Sequence, residues 1–332
     1  MRFVPTRFVV VGAGAVGGVV GARLHQYGHD VVLVARGPHH DAIRARGLTL
    51  EAPDESVTLP LPVHPTPREV EFRDGDVVLL AVKGQDTIGV LEALETAAPD
   101  DTPVVCLQNG VANEREALRR FPNVYGVCVV LPAVHLEPGV VVANAAPTTG
   151  ILDIGRFPSG VDDRSGAIAD AFSSATFSAE QRPDVMRWKY AKLLNNLGNA
   201  VDALLGQEAR AEDTSGVSER ARAEGEAVLA AAGITYASRA EERARRGDMF
   251  RWRGPTTSVR AGSSSWQSLA RGAGSIEADL LNGEIVLLGR LHGVPTPVNA
   301  ALQRLANEAA HRRAAPGTTS VDDVLRAIGH GG

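Results

Sequence analysis

The stretch of residues 7–36, RFVVVGAGAVGGVVGARLHQYGHDVVLVAR, decides the fold of the N-terminal part of the chain. It begins with an apolar run, Phe8 to Val11, and passes through a glycine-rich turn into small residues of helical character. A second apolar run, Val31 to Val34, follows. This order of strand, tight turn, helix and strand has the length of a dinucleotide-binding βαβ unit.

The turn after the first strand carries glycines in the G-x-G-x-x-G spacing of dinucleotide-binding folds. Gly12 permits the tight turn, Gly14 lets a pyrophosphate approach the backbone, and Gly17 lets helix and strand pack closely. The N–H groups at the helix start would then bind the phosphate charge. A glycine-rich turn without a ligand is the alternative, but the motif lies between strand and helix, as a nucleotide site requires. The predicted cofactor-binding residues of this turn are Gly12, Ala13, Gly14, Ala15, Val16 and Gly17.

The end of the second strand indicates which dinucleotide binds. Folds that bind NAD usually carry an acidic residue there, which holds the ribose 2′-hydroxyl. This chain has Ala35 and then Arg36. An acid would repel a 2′-phosphate, whereas an arginine pairs with it, so we predict that the cofactor is NADPH. The alternative for Arg36 is a solvated surface arginine.

Composition limits the class of protein. The chain has 332 residues, enough for two domains, and its net charge of −5 gives no indication of a nucleic-acid partner. No run of residues has the length and hydropathy of a membrane span. Cys106 and Cys128 lie in apolar runs without metal or redox spacing, which predicts reduced, buried thiols in a cytoplasmic protein. His39, His40 and His64 also lack metal-ligand spacing, so we predict no metal site and place these histidines on the surface.

Two further apolar runs end in polar residues. Residues 76–82, DVVLLAV, are typical of a buried parallel strand and lead to Lys83, and the run PVVCLQNG contains Asn109. Ligands of open α/β sheets bind outside the carboxyl ends of the strands, so Lys83 and Asn109 are candidate binding residues. The alternative is that each is only a polar strand terminus.

The pattern of the chain changes near Pro183. Before it, strand-like runs alternate with helices, and residues 124–157 are expected to complete the sheet. After it, helical periods dominate, and the arginine-rich residues 239–246 are expected to form a solvated helix face. We therefore predict an α/β protein with an N-terminal Rossmann-type doubly wound domain, residues 1–182, followed by an all-helical C-terminal domain, residues 183–332.

The helical part opens with a segment that carries aligned polar residues, DVMRWKYAKLLNNLGNAVDALLG. Lys192, Asn196 and Asn199 have the spacing i, i+4 and i+7, and Lys189 precedes them by three residues. Such residues in an apolar helix need partners or a wet cleft, because unpaired buried polar groups are costly. A solvent-facing stripe is the alternative.

Taken together, the motifs resemble the ketopantoate reductase (2-dehydropantoate 2-reductase) family. The glycine turn, VKGQDT, LQNG, the K-x-x-x-N helix and SSxxQ…E-x-D-x-x-N-G occur in the family's order from about Arg7 to about Leu305. The resemblance implies a Rossmann domain followed by a helical domain. It also implies the NADPH-dependent reduction of 2-dehydropantoate, a small 2-oxo acid, to pantoate in pantothenate biosynthesis.

The resemblance also assigns residues to roles. Lys192 matches the general acid, and Glu277, ahead of the Asn-Gly pair, matches the acid that binds a substrate hydroxyl; these two are the predicted catalytic residues. The other matches are Asn109, Asn196 and Ser264 toward the substrate, and Arg36, Lys83 and Asn109 toward the cofactor. Asn199 is also predicted to bind the substrate, although it lies one residue before the place of the family's second asparagine. Two amides of some relatives are replaced here by Ala200 and Ala261. One extra residue between Gln267 and Glu277 leaves open which serine of the SSS run is in the site.

Three alternatives to ketopantoate reduction stay open. One is a paralogous reductase of another 2-oxo acid. Another is a non-catalytic NADP-binding protein that reports redox state, against which the lysine and asparagine spacing argues, since a sensor needs no general acid. The third is a dehydrogenase of another branch, acting on hydroxy acids or opines. The sequence does not give the oligomeric state, and a homodimer is one option.

Overall fold

The computed structural model describes Pro5 and residues 7–212, 216–253 and 262–329. The chain divides into two compact units, residues 1–189 with 238–259 and residues 190–237 with 260–332. The chain therefore enters the second unit at residue 190, returns to the first unit for residues 238–259, and then enters the second unit again. The predicted domain boundary at residue 182 stays a prediction.

The regular elements follow the apolar runs of the sequence. The strands are β1 Arg7–Val11, β2 Val31–Val34, β3 Leu48–Ala52, β4 Glu55–Leu59, β5 Val63–His64, β6 Asp76–Leu80, β7 Val104–Cys106, β8 Val124–Val130, β9 Ala133–Val134, β10 Val140–Ala143, β11 Ala145–Pro147, β12 Gly150–Arg156, β13 Phe177–Ser178 and β14 Phe250–Trp252. The helices are α1 Ala15–Gln26, α2 Gly37–Arg46, α3 Thr87–Glu95, α4 Asn113–Leu118, α5 Asp163–Ser174, α6 Val185–Asn196, α7 Asn199–Glu212, α8 Val217–Ala231, α9 Arg239–Arg246, α10 Ser264–Ala270, α11 Asn282–His292, α12 Pro297–His311 and α13 Val321–Gly329.

The first unit contains the predicted doubly wound sheet. Its strand order is β13-β12-β8-β7-β6-β1-β2-β5. The six neighbouring strands β8-β7-β6-β1-β2-β5 pair in parallel, and β12 pairs antiparallel with β8. The chain winds in opposite directions from β1 and from β6, so the point where the order reverses lies between these two strands, where such sheets bind their ligands. The Rossmann-type fold class is confirmed.

Both faces of this sheet are buried, which explains its continuous apolar strands. Phe8 and Val10 belong to the core on one side, and Val9 and Val11 belong to the core on the other. Because side chains alternate across a strand, an all-apolar run buries both faces, and each such side chain contributes about 1.5–3 kcal/mol to stability.

The prediction for residues 124–157 was only partly right. Strands β8 and β12 join the main sheet, but β9 and β10 form a second sheet of order β4-β3-β10-β9. In this second sheet β3 and β4 pair antiparallel and form a hairpin. Helix α1 packs against strand β10 of this second sheet, since a Cβ atom on Gly18 would be 2.7 Å from the side chain of Val141.

The arginine-rich helix α9 exposes Arg239, Arg243 and Arg246 to solvent, as the sequence predicts, but one of its arginines is buried. Arg245 is buried and donates hydrogen bonds of 2.8 and 2.6 Å to the two carboxylate oxygens of Asp153 on β12. Asp153 is also buried and needs a cation, because an unpaired charge in the interior is costly. Arg187 holds the same helix from α6 through two hydrogen bonds to Glu241, and β14 pairs with β11. These contacts attach the returning segment to the first unit.

Helices form the regular structure of the second unit, with a short 3-10 turn at Glu277–Leu280. Strands are absent from its described residues, 190–212, 216–237 and 262–329, but the range 183–332 that was predicted to be all-helical also contains strand β14, which belongs to the first unit. None of the helices in the described part of the chain combines the length and hydropathy of a membrane span. In the first unit, Cys106 and Cys128 are free thiols and buried, as predicted.

Candidate active site

Four neighbouring strands of the first unit carry the predicted cofactor residues. Strands β7, β6, β1 and β2 are adjacent and parallel, so their carboxyl ends lie along one edge of the sheet. The glycine turn follows β1, Arg36 follows β2, Lys83 follows β6 and Asn109 follows β7. The structure therefore brings these residues to the edge at which α/β sheets bind ligands.

The three glycines of the turn have different surroundings. Gly12 has a positive φ of +102°, and a Cβ atom there would be 2.7 Å from the backbone nitrogen of Val82. A Cβ atom on Gly17 would be 2.1 Å from the carbonyl oxygen of Gly12. Gly14, in contrast, has no atom within 4 Å of its Cβ position. Packing therefore requires Gly12 and Gly17, whereas Gly14 borders open space that a pyrophosphate fits.

The start of α1 is suited to an anion. Its N-cap residue is Gly14, no side chain caps it, and the first turn contains no acidic residue. The first N–H groups of a helix have no partner inside the helix, and the helix dipole favours negative charge at this end. The turn thus meets the electrostatic requirement for holding a phosphate.

Arg36 lies at the position that discriminates between the two dinucleotides. Its side chain is 79% exposed, and it forms an ion pair of 2.8 Å with Asp86. Asp86 ends a 3-10 turn that follows Lys83, and it lies inside the VKGQDT motif. Because such exposed pairs are weak, the guanidinium can reorient toward a 2′-phosphate, which would replace the Asp86 carboxylate or share the guanidinium with it. No sequence pattern indicates that Asp86 is the partner of Arg36.

A chain of hydrogen bonds joins the ends of β6 and β7. Gln108 donates 2.9 and 2.8 Å bonds to the carbonyl of Val82 and to the Thr87 hydroxyl. Thr87 donates to the Asn113 amide oxygen at 2.9 Å, and the Asn113 amide donates to the carbonyl of Asn109 at 3.2 Å. The network holds the segments that carry Lys83 and Asn109 beside each other. Its members Gln108 and Thr87 lie inside the LQNG and VKGQDT motifs, but their connection is visible only in three dimensions.

The ammonium of Lys189 is buried in the first unit, where it is paired with a carboxylate. Its ammonium lies 2.5 Å from a carboxylate oxygen of Glu114 and donates to the carbonyls of Gln108 and Val127 at 2.9 and 3.3 Å. The two charged side chains are 2% and 0% exposed. Two of its N–H donors are used by carbonyl oxygens, and the buried Glu114 carboxylate lies against it as the counter-charge, so Lys189 is enclosed by protein groups.

Lys192 differs from Lys189 in both position and exposure. It lies one helical turn further along α6, in the second unit, and its side chain is partly exposed. Asn196 is the last residue of α6 and is buried. The spacing of four residues on one helix therefore holds for Lys192 and Asn196.

For Asn199, the prediction of one continuous helical stripe was wrong. Helix α6 ends at Asn196, and α7 begins at Asn199 after a turn at 197 and 198. The amide of Asn282 donates to the carbonyl of Leu197 at 3.1 Å and to the side chain of Asn299 at 3.0 Å, and thereby holds this turn. Asn199 is buried nonetheless.

The serine run forms the start of α10. Ser263 is its N-cap and accepts a hydrogen bond from the backbone of Trp266. The backbone N–H of Ser263 donates to Asp202 at 2.6 Å, and its hydroxyl donates to the carbonyl of Asn199 at 3.4 Å. The run is thereby anchored beside the start of α7. Asp202, three residues after Asn199, is a partner that the sequence did not indicate.

Ser264 and Glu277 are the remaining predicted residues of the second unit. The Ser264 hydroxyl is buried and, among the described residues, has no hydrogen-bond partner. Glu277 is 6% exposed and begins the 3-10 turn before α11, rather than entering that helix. Of the two alanines that the resemblance places where some family members have amides, Ala200 is buried. Ala261 lies outside the described residues. The structure therefore supports a buried polar environment for Ser264 and Glu277.

Two of the histidines are not the surface residues that the sequence predicts. His40 is buried, and His39 is half-buried and bonded to the backbone on two sides. Within the described residues, no group of three or more histidine, cysteine, aspartate or glutamate side chains is arranged to hold a metal ion.

Two curated proteins whose sequences are similar to this chain carry the name 2-dehydropantoate 2-reductase. The 2-dehydropantoate 2-reductase of Halobacterium salinarum is 32% identical over 308 residues, which cover 90% of this chain and 97% of the relative. The 2-dehydropantoate 2-reductase of Pyrococcus horikoshii is 31% identical over 200 residues, but this match spans only 64% of the length of that relative.

Comparison with solved structures gives the same fold over nearly the whole chain. A PanE/ApbA family ketopantoate reductase from Ralstonia eutropha has a TM-score of 0.74 and 29% identity, with 92% of this chain and 99% of that chain covered. A D-mandelate dehydrogenase in complex with NADH and anilino(oxo)acetate has a TM-score of 0.76 at 24% identity, with the same coverage. At that identity the second likeness shows the fold alone.

Two family models match consecutive parts of the chain. "Ketopantoate reductase PanE/ApbA" matches residues 8–159, which contain the glycine turn, Arg36, Lys83 and Asn109. "Ketopantoate reductase PanE/ApbA C terminal" matches residues 184–310, which contain Lys192 and Glu277. With the motifs in the family's order and both halves matched, the chain belongs to the ketopantoate reductase PanE/ApbA family.

Proposed function

We propose that the protein is an NADPH-dependent oxidoreductase that reduces 2-dehydropantoate to pantoate, in pantothenate biosynthesis. The observation that carries this proposal is the single sheet edge that bears the glycine turn, Arg36, Lys83 and Asn109. Family membership supplies the reaction class, and the names of the relatives supply the substrate.

The cofactor assignment rests on three features of the first unit. The open space beside Gly14 and the uncapped start of α1 suit a pyrophosphate, and the exposed Arg36 suits a 2′-phosphate. Lys83 adds a positive charge at the neighbouring strand end. When bound, NADPH supplies a hydride to the carbonyl carbon of the substrate.

Lys192 is the proposed general acid. As hydride reaches the carbonyl carbon, negative charge develops on the carbonyl oxygen, and an ammonium stabilises that charge and then donates a proton to it. Lys192 has the partial exposure that this role requires, whereas the ammonium of Lys189 is enclosed by three protein oxygens. Asn109 and Asn196 position the substrate, and Asn196 lies one turn after Lys192.

Substrate recognition is assigned to Ser264, Glu277 and Asn199. Ketopantoate carries a carboxylate, a 2-oxo group and a terminal hydroxyl. The buried carboxylate of Glu277 accepts a hydrogen bond from that hydroxyl, and the Ser264 hydroxyl, which has no partner among the described residues, gains one from the substrate.

The test is an NADPH-oxidation assay over a panel of 2-oxo acids that contains ketopantoate and 3-methyl-2-oxobutanoate, a compound of similar bulk without the terminal hydroxyl. The highest kcat/KM is expected for ketopantoate with NADPH. Tight NADPH binding without turnover of any acid would indicate a redox sensor instead. Preference for a different acid would indicate a paralogous reductase.

A paralogous reductase of another 2-oxo acid is the second candidate. The observation in its favour is the buried methyl group of Ala200, where some relatives carry an amide. A pocket with one amide fewer suits a substrate with one polar group fewer. The same panel of acids separates the two candidates.

The remaining proposals concern the setting of the enzyme. We place it in the cytoplasm, with a small-molecule substrate and without nucleic-acid or membrane partners. A homodimer is the proposed assembly. Size-exclusion chromatography with light scattering measures the oligomeric state directly.

A further inference from the structure

His39 connects three parts of the first unit. It lies on α2, three residues after Arg36. Its Nδ1 atom is 2.9 Å from the backbone nitrogen of Gly139, and its Nε2 atom is 2.7 Å from the carbonyl oxygen of Ala13 in the glycine turn. One imidazole ring thus joins the helix that begins beside Arg36, the turn before β10, and the loop that is proposed to hold the pyrophosphate.

The two bonds determine where the imidazole carries its proton. A backbone N–H can only donate, so Nδ1 accepts from Gly139. A carbonyl can only accept, so Nε2 carries the proton and donates to Ala13. The ring is therefore neutral, with the proton on Nε2. Burial lowers the pKa of His39, although the bond to Ala13 opposes this, and the lower pKa favours the same neutral form.

The bond to Ala13 fixes the orientation of a peptide group. In a trans peptide, the carbonyl oxygen of one residue and the N–H of the next point in opposite directions. Because His39 holds the Ala13 carbonyl on one side, the N–H of Gly14 is directed to the other side. Gly14 is also the residue whose Cβ position borders open space.

We propose that His39 is a positioning residue for NADPH, which holds the Ala13–Gly14 peptide in the orientation that binds the pyrophosphate. It also ties that loop to the beginning of α2, so the sites for the pyrophosphate and the 2′-phosphate are held in one arrangement before the cofactor arrives. Such preorganisation strengthens binding because less ordering is required when the ligand binds. This inference rests on the proposed NADPH-dependent function.

Three substitutions separate the two hydrogen bonds of His39. His39→Phe keeps a ring and removes both bonds. His39→Gln places an amide N–H near the position of Nε2 and so keeps the donor to Ala13. His39→Asn places an amide oxygen near the position of Nδ1 and so keeps the acceptor for Gly139. His40→Gln is the matched control, since His40 lies on the same helix and pairs with Asp41 instead of the loop.

The first measurement is the dissociation constant of NADPH, by fluorescence titration. His39→Phe and His39→Asn are expected to raise it about ten-fold, as the loss of a buried hydrogen bond and its preorganisation would do, and His39→Gln and His40→Gln to change it less than about three-fold. The KM for the 2-oxo acid at saturating NADPH should be unchanged. Equal affinities of His39→Phe and the wild type, or of His39→Gln and His39→Asn, would overturn the inference.

The second measurement does not involve the cofactor. Hydrogen exchange of the backbone amides of residues 12–18 in the cofactor-free protein is expected to be faster in His39→Asn than in His39→Gln. If the wild type fails to bind NADPH, the proposed function is wrong, and this exchange experiment still decides whether His39 orders the loop. If His39→Phe does not fold, the glutamine and asparagine variants decide the question.

Discussion

Replacing Arg36 with alanine is expected to weaken the binding of NADPH and to leave NADH binding nearly unchanged. Arg36 follows β2 at the sheet edge of the proposed cofactor site, and its side chain is 79% exposed. The two cofactors differ only in the 2′-phosphate. A contact made by this guanidinium to that phosphate is therefore absent with NADH.

The structure sets the size of the effect. A hydrogen bond to a charged group contributes about 1.5–3 kcal/mol. Arg36 must loosen its pair with Asp86 to reach the phosphate, and an exposed pair of this kind is worth at most ~1 kcal/mol. A net loss of about 0.5–3 kcal/mol corresponds to an increase of about 2- to 150-fold in the dissociation constant of NADPH. Asp86→Asn removes the competing charge and is expected to lower that constant about 2- to 5-fold.

The assay is a titration of both cofactors against wild type, Arg36→Ala and Asp86→Asn, at low and at high salt. The NADPH effect should shrink at high salt, because exposed charges are screened. Wild type with equal affinities for NADPH and NADH would refute the reasoning. So would an Arg36→Ala variant that weakens both cofactors to the same extent, because the phosphate would then not be the group that Arg36 binds.

Further predictions concern the second unit and the buried groups. Lys192→Ala should lower the rate constant measured in single-turnover assays about 10²–10⁴-fold while NADPH binding persists. An unchanged rate constant would exclude Lys192 as the general acid. Lys189→Ala leaves Glu114 buried without its cation, so urea unfolding should show a loss of about 3–5 kcal/mol, and an unchanged midpoint would contradict the pair's role. Glu277→Ala should lose most of the wild-type kcat/KM for ketopantoate, so the ratio of kcat/KM for ketopantoate to that for 3-methyl-2-oxobutanoate should fall. Equal kcat/KM of the wild type for both acids would indicate another substrate. Burial raises the pKa of the Cys106 thiol, so neither cysteine should react with a disulfide reagent at pH 8 until denaturant is added, and rapid native modification would show an open core.

The main sheet was predictable because its strands are continuous apolar runs buried on both faces. The candidate residues at its edge followed from one rule, that ligands of such sheets bind outside the carboxyl ends of the strands. Together with the residue type after β2, that rule predicted Arg36, Lys83 and Asn109. It could not identify Asp86 or His39, since their roles depend on hydrogen bonds to residues distant in sequence. Residue type and spacing carry no information about such pairs.

The helical unit shows a different limit of sequence patterns. A spacing of i and i+4 holds within one helix, and it did so for Lys192 and Asn196. The spacing of i+7 to Asn199 assumes an unbroken helix, and the break before that residue is held by Asn282, 85 positions away. Similarly, periodicity places Lys189 near the same stripe, but only its buried contacts with Glu114 distinguish an internal ion pair from a reactive ammonium.

The return of residues 238–259 to the first unit has a consequence for how the protein is made on the ribosome. N-terminal domains generally fold first, while the rest of the chain is still being synthesised. Here a nascent chain that has completed the main sheet still lacks Arg245, one of the two arginines that pair with the buried carboxylate of Asp153. It also lacks β14, so β11 has an unpaired edge. The N-terminal half therefore gains this cation and this strand only after residues 190–237 have been synthesised, and we expect its packing to be completed only then.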